Sequence, residues 1–210
     1  MTRSAKMITI GVAAFVMALL FSSTAALGGS FPGLNGKIVF ASDRATGGSS
    51  SEIFVMNADG SGPTRLTNNT TNDFSPSFSP DGSKIVFVSD RDMAAGDQIY
   101  VMNADGSGQT RLTTDAANDF SPSFSPDGSK ILFNSDRDLN LEIYAMNANG
   151  SGQTRLTNNN AVDESPTCSP NGASIAFDSD RDTPGGDVQI YQMNENGSGQ
   201  TRLTAPGASN

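Results

Sequence analysis

The residues in this chain with chemistry to offer are aspartates set beside arginines. The tripeptide Ser-Asp-Arg stands at Ser42–Arg44, Ser89–Arg91, Ser135–Arg137 and Ser179–Arg181, and a second aspartate follows three of these as Asp92, Asp138 and Asp182. Upstream, Asp73, Asp119 and Asp163 recur at matching places. Carboxylates grouped in this way can ligate a hard cation such as Ca2+, receive a cationic ligand, or hold a loop by accepting hydrogen bonds from arginine and backbone. Recurrence along the chain favours the loop-holding role for the Ser-Asp-Arg aspartates. The segment Asp136-Arg137-Asp138-Leu139-Asn140-Leu141-Glu142 alternates oxygen donors and is the best single candidate for a cation, although it lacks the glycine of an EF-hand turn. The Asn-Ala-Asp-Gly and Ser-Pro-Asp-Gly segments read as hairpin turns.

Catalysis finds little to work with. The sequence holds no histidine, so no Ser-His-Asp triad can be assembled, and there is no Gly-x-Ser-x-Gly elbow. Pairs such as Asp90 and Asp92 flank an arginine, an arrangement suited to ion pairing rather than proton transfer. The expectation is a protein that is not an enzyme, with no catalytic residue and no cofactor, Ca2+ being the one candidate ion. The alternative is a carbohydrate-active or cation-dependent enzyme using carboxylates of a central channel.

Composition sets further limits. A net charge of −9 argues against nucleic acid as partner, because phosphate binding rests on Lys and Arg. The 22 glycines and 10 prolines suit short strands joined by many turns. Cys168 is the only cysteine and reads as a small core residue rather than a reactive thiol. Residues 1–26 read as a signal peptide: Arg3 and Lys6 precede the apolar run Met7–Phe21, and small residues follow, with cleavage expected after Ala25 or Ala26. The run is shorter than the roughly 20 apolar residues of a spanning helix, so an uncleaved anchor is the second reading and no membrane span is expected after cleavage. Losing Arg3 and Lys6 takes the net charge from −9 to about −11. The mature chain is expected outside the cytoplasm: periplasmic, in the cell envelope, or secreted.

The elements that must position the aspartates come from a repeat. Asn57, Asn103, Asn147 and Asn194 mark one motif written four times, at spacings of 46, 44 and 47 residues. Thr-Arg-Leu-Thr follows each marker, and Ser-Pro-Asp-Gly or Ser-Pro-Asn-Gly precedes three of the apolar runs. Within Asp73–Thr113 the pattern predicts strands at Ser75–Ser79, Lys84–Ser89, Gln98–Asn103 and Gln109–Thr113. In the middle two, Ile85 and Phe87 oppose Val86 and Val88, while Ile99 and Val101 oppose Tyr100 and Met102. Apolar residues on both faces require cover on both sides, which neighbouring repeats supply. The reading is all-β: a β-propeller of four four-stranded antiparallel blades, at about 31–67, 73–113, 119–157 and 163–204. It leaves open a closed ring or an open arc, and with the arc a homo-oligomer. Phe87, Phe133 and Phe177 are expected between blades.

The Ser-Pro-Asp-Gly-x-x-Ile-x-Phe run, the Ser-Asp-Arg after it, then Ile-Tyr-x-Met-Asn and Thr-Arg-Leu-Thr, resemble the TolB-type propeller repeat, also called WD40-like PD40. The resemblance covers Phe31–Thr204. It implies exported propellers, including a periplasmic partner of a peptidoglycan-associated lipoprotein, and also propellers that cover the active site of prolyl-oligopeptidase-like hydrolases. Such propellers usually have six blades, whereas this sequence shows four. The first repeat is degenerate over Phe31–Lys37, and in the fourth Glu164 and Cys168 replace the phenylalanines of earlier repeats.

In each blade the first-to-second and third-to-fourth turns share one face and hardly vary. The second-to-third and interblade loops share the other face, vary in length and are rich in acids. Binding usually resides in loops of that kind. The expectation is therefore an exported scaffold that binds a protein or cell-envelope component through this loop face, with Asp92, Asp138, Asp182, Asp73, Asp119 and Asp163 as partner-binding residues. A further alternative is a partial propeller without independent activity.

Overall fold

The computed structural model describes residues 36–92, 96–183 and 186–204. The described residues form fifteen strands and no helix. The first blade holds β1 (Lys37–Ser42), β2 (Glu52–Asn57) and β3 (Thr64–Arg65). The second holds β4 (Asp73–Phe78), β5 (Lys84–Ser89), β6 (Gln98–Asn103) and β7 (Thr110–Arg111). β8 (Asp119–Phe124), β9 (Lys130–Ser135), β10 (Glu142–Asn147) and β11 (Thr154–Arg155) make the third, and β12 (Asp163–Cys168), β13 (Ser174–Ser179), β14 (Gln189–Asn194) and β15 (Thr201–Arg202) the fourth. Every pairing is antiparallel between strands consecutive in sequence. The expected signal peptide, and the position of the first blade's opening strand, lie outside the described residues.

The blades pack in order, β1 on β4, β4 on β8 and β8 on β12; among the described residues no comparable strand packing joins the fourth blade to the first. Each interface joins two kinds of face. Ile85, Phe87, Tyr100 and Met102 turn toward Ile53 of the preceding blade, while Val86, Val88 and Ile99 turn toward Ile131, Phe133, Tyr144 and Met146 of the next. Leu132, Ile143 and Ala145 in turn meet Ile175, Phe177, Tyr191 and Met193. The alternation seen in the sequence is the packing scheme. Phe87, Phe133 and Phe177 are 0%, 0% and 2% exposed and lie between blades, as expected.

Two strand boundaries differ from the sequence reading. The inner strand begins at Asp73 rather than Ser75, because Ser75 (φ 49°) and Pro76 sit in a bulge that shifts the register between Phe74 and Ser77. Ser121 (φ 51°) and Ser165 (φ 55°) repeat the device. A bulge places the proline where no ladder N–H is needed. The outer strand is shorter than expected: only Thr110–Arg111 pair, and Leu112 continues with one bond from its N–H to the Ile99 carbonyl at 2.8 Å.

The short turns are built by side chains. Asp81 accepts from the Ser79 hydroxyl at 2.6 Å and the Ser83 N–H at 3.0 Å, and Asp127 does the same with Ser125 and Ser129. These bonds, the serine hydroxyl first, hold both carboxyls down at about 2. With the folded-state value below the ordinary 3.8, the stabilisation is present above pH 3.8 and is lost as pH falls through about 2. Asn171 builds the same turn in the fourth blade, accepting from Ser169 at 2.7 Å, so asparagine preserves the geometry. Asp81→Asn/Asp127→Asn should flatten the stability loss between about pH 4 and pH 2 in urea titrations, and an unchanged profile refutes the assignment. On the same side of the blade, Gly106 (φ 89°) touches the preceding blade: a Cβ there would come within 2.8 Å of the Leu66 carbonyl. Gly150 and Gly197 meet Leu112 and Leu156 in the same way. In the second, third and fourth blades this turn therefore seals the interface with the blade before it, while the matching Gly60 of the first blade meets nothing within 4 Å.

The fourth blade's outward face is different. Ala176, Asp178, Ile190 and Gln192 occupy it, with Glu164 directly opposite Asp178. Burial, then the charges of Asp178 and Asp180, pushes the Glu164 carboxyl up, and burial does so for Asp178. Among the described residues no blade packs on this face. Cys168, the other departure of this repeat, lies half-buried in a small cavity between the inner strands, beside Ser77, Phe78, Ser123, Phe124 and Thr167. Its thiol is pushed up to about 11 by burial and by the charges of Asp127 and Glu195.

Candidate functional site

Each Ser-Asp-Arg is a joint. The serine hydroxyl accepts from the arginine Nε, at 2.8 Å for Ser89 and Arg91 and for Ser135 and Arg137. The guanidinium then lies over the blade's two rings: Arg137 is 5.5 Å from the Phe133 centroid and 4.5 Å from that of Tyr144. Its Nη1 donates to Gln153 at 2.6 Å and its Nη2 to Asp119 at 3.0 Å. Arg91 and Arg181 repeat the arrangement with Asp73 and Asp163. The middle aspartate grips the interblade loop: Asp90 accepts from the N–H and side-chain amide of Asn72, Asp136 from those of Asn118, and Asp180 from the Val162 N–H.

Three of the six expected partner-binding residues are therefore elsewhere than on the surface. Asp73, Asp119 and Asp163 have 0% exposure. A carboxylate under a stacked guanidinium presents nothing to a partner, and these three hold the inner strand to the loop. Burial outweighs the Arg137 charge and the hydrogen bonds at Asp119, whose carboxyl is pushed up.

Asp92, Asp138 and Asp182 remain on the loop side, their side chains 44%, 37% and 37% exposed. Each accepts from a tyrosine hydroxyl, of Tyr100, Tyr144 and Tyr191, and pairs with the arginine of Thr-Arg-Leu-Thr: Arg111 at 3.1 Å, Arg155 at 3.2 Å, Arg202 at 2.7 Å. Burial, then the bond to Asp92, pushes Tyr100 up to about 12. The tyrosines are a part of the site that sequence reasoning missed. The signal was present: the first repeat has Phe54 for the tyrosine and Ala45 for the second aspartate, so the pair is lost together. Glu52 was also missed, and Glu142 was read only as a donor of the candidate cation loop; both are fully buried and take Arg65 at 2.6 Å and Arg155 at 2.7 Å.

In the Asp136–Glu142 loop the oxygen donors are turned to protein partners. Asp136 holds Asn118, Asp138 holds Tyr144 and Arg155, and Glu142 accepts from the Asn159 N–H at 2.8 Å. Among the described residues no three of His, Cys, Asp and Glu come together as a group able to hold a metal ion.

Stacked antiparallel sheets, one with three described strands and three with four, the latter three each carrying an arginine clamp, define a β-propeller built of sequence-repeat blades. The family model that matches is the TolB beta propeller domain, over residues 30–118, 93–151 and 119–210. The chain belongs to this family. Among solved structures it is similar to a protein described as TolB from Agrobacterium tumefaciens, at 27% identity and TM-score 0.73, over 80% of this chain and 61% of that one. It is also similar to TolB from Acinetobacter baumannii, at 30% identity and TM-score 0.70, over 82% of this chain and 42% of that one. Hydrazine synthase of Kuenenia stuttgartiensis shares the fold at 20% identity and TM-score 0.66, over 83% and 33%. No curated protein matches. The chain thus spans less than two thirds of the length of the TolB structures it matches.

Proposed function

We propose that this chain is an exported, non-enzymatic TolB-like scaffold that holds a protein or cell-envelope partner on its loop side. The observation that carries the reading is the row of half-exposed carboxylates Asp92, Asp138 and Asp182, one on each of three successive blades, each fixed by a tyrosine and an arginine. Charges fixed in this way lose little freedom on binding, which favours a cationic partner surface. The short span relative to the TolB structures supports a second reading, in which these blades act within a larger ring. Mass measurement of the mature chain in solution separates the two.

The test is capture of envelope components on the immobilised mature chain. Asp92→Asn/Asp138→Asn/Asp182→Asn keeps an acceptor for each tyrosine and removes the charge. It should release the partner, whereas Asp59→Asn/Asp105→Asn in the opposite turns should not. Capture should also weaken with salt, since exposed charges are screened beyond about 8 Å at physiological ionic strength. Loss of binding in the turn variant alone, with both proteins folded, reverses the assignment.

A further inference from the structure

Two of the interblade loops close on their inner strands through an asparagine. In each, Oδ1 accepts from the N–H two residues on, at 2.8 Å for Asn69 with Thr71 and 2.6 Å for Asn159 with Ala161. The Nδ2 then donates to the buried aspartate four residues on, at 2.7 Å to Oδ2 of Asp73 and 2.7 Å to Oδ2 of Asp163. The loop between the second and third blades has Asp115 at this place. Its Oδ1 makes the same bond, from the Ala117 N–H at 3.1 Å, which leaves an oxygen where the other loops have a donor. That Oδ2 lies 2.9 Å from Arg137 Nη2, the same nitrogen that holds Asp119 Oδ1 at 3.0 Å. Two carboxylates therefore crowd one guanidinium nitrogen. Asp119 is 0% exposed, and its Oδ2 is buried without a hydrogen-bond partner among the described residues.

We propose that this joint is a pH-sensitive clasp, in which Asp115 and Asp119 share one proton taken up on acidification. The proton does here what the asparagine Nδ2 does in the other two joints: it supplies the donor that ties the loop to the inner strand. Like charges on one site favour such sharing, because both carboxylates cannot be ionised together without repulsion. Burial pushes the Asp119 carboxyl up, against the Ser135 and Thr113 hydroxyls and the Arg137 charge. With the folded-state value above the ordinary 3.8, the stabilisation is complete below pH 3.8 and is lost as pH rises through the folded value.

The surrounding charges offer no other donor to the orphaned oxygen. Of the strands packed on β8, β6 has no charged side chain, and β5 and β9 carry only Lys84 and Lys130, at the ends remote from Asp119. β4 and β12 bring Asp73 and Asp163, each under its own arginine, and Glu164, which stands opposite Asp178. Asp136 is bound to Asn118. Asp97, whose carbonyl takes the Asp119 N–H at 2.8 Å, has its own carboxyl pushed up by burial and by the charges of Asp90 and Asp136.

The test is carbon-detected NMR of the mature chain with 13C-labelled aspartate, following the Asp119 carboxyl from about pH 8 to about pH 3. Asp115→Asn restores the amide of the other loops and should move the Asp119 midpoint downward. It should also raise the urea midpoint by about 0.5 M near pH 7, a gain that shrinks as pH falls toward about 4. The lost contact of Asp115 with Arg137 is partly exposed and offsets little of this. The reciprocal Asn69→Asp should lower the urea midpoint at neutral pH and recover it on acidification. An Asp119 midpoint that Asp115→Asn leaves in place overturns the proposal, as does an Asn69→Asp loss that acid does not recover. So does a shift of the Asp119 resonance on adding CaCl2 at constant pH, which would put a metal cation between the carboxylates.

Discussion

Phe133→Ala will cost about 3–5 kcal/mol of folding free energy. The ring is fully buried and belongs to the cluster that joins the second and third blades, with Val86, Val88, Ile99 and Leu112 on one side and Ile131, Tyr144 and Met146 on the other. It is also stacked on Tyr144 at 5.6 Å between centroids and lies beneath the Arg137 guanidinium. Truncation removes the apolar contact and leaves a void between two sheets, which β strands cannot close without shifting their ladders. The check is urea unfolding of the mature chain and the variant. A loss below about 1 kcal/mol would mean that the blade interface does not depend on this ring.

Arg137→Met should cost about 3–5 kcal/mol as well, for a different reason. Methionine keeps much of the apolar stem over the rings but leaves Asp119, which has 0% exposure, without its cation at 3.0 Å. A buried carboxylate stripped of its partner bears its full desolvation cost. Arg44→Met provides the internal control: the same stack is altered where no described carboxylate lies beneath it, and the cost should stay below about 1 kcal/mol. Adding Asp119→Asn to Arg137→Met should recover part of the loss, because a neutral amide is cheaper to bury than an unpaired charge. Equal costs for the two arginines would mean that the ion pair contributes nothing beyond stacking.

These two effects also mark what was legible in the sequence. The place of Phe133 followed from alternation: Ile131 and Phe133 on one face, Leu132 and Asn134 on the other, with turns on either side. That pattern is local, so it survives translation from sequence to structure. The burial of Asp119 did not follow, because an aspartate just after an interblade loop has the same local context whether it ends the loop or opens the strand. What decides between them is a bulge at Ser121 and Pro122, which lengthens the inner strand back to Asp119 and carries the carboxylate under the guanidinium. The proline was the available clue, since an interior proline asks for a bulge or an edge. The tyrosine partners of Asp92, Asp138 and Asp182 were missed because they are a strand away, and only the joint loss at Ala45 and Phe54 links them in one dimension.

The half-buried sulfur between the inner strands has a consequence for how the chain survives oxidation. A thiol that ionises near 11 is thiolate in only about one molecule in ten thousand at pH 7. Disulfide exchange and stepwise oxidation both proceed through the thiolate and need access to it. Cys168 offers little of either, held beside Phe78, Phe124 and Thr167 with Asp127 and Glu195 repelling a negative sulfur. If the chain is exported as proposed, Cys168 is poorly placed to cross-link to a second copy in an oxidising compartment.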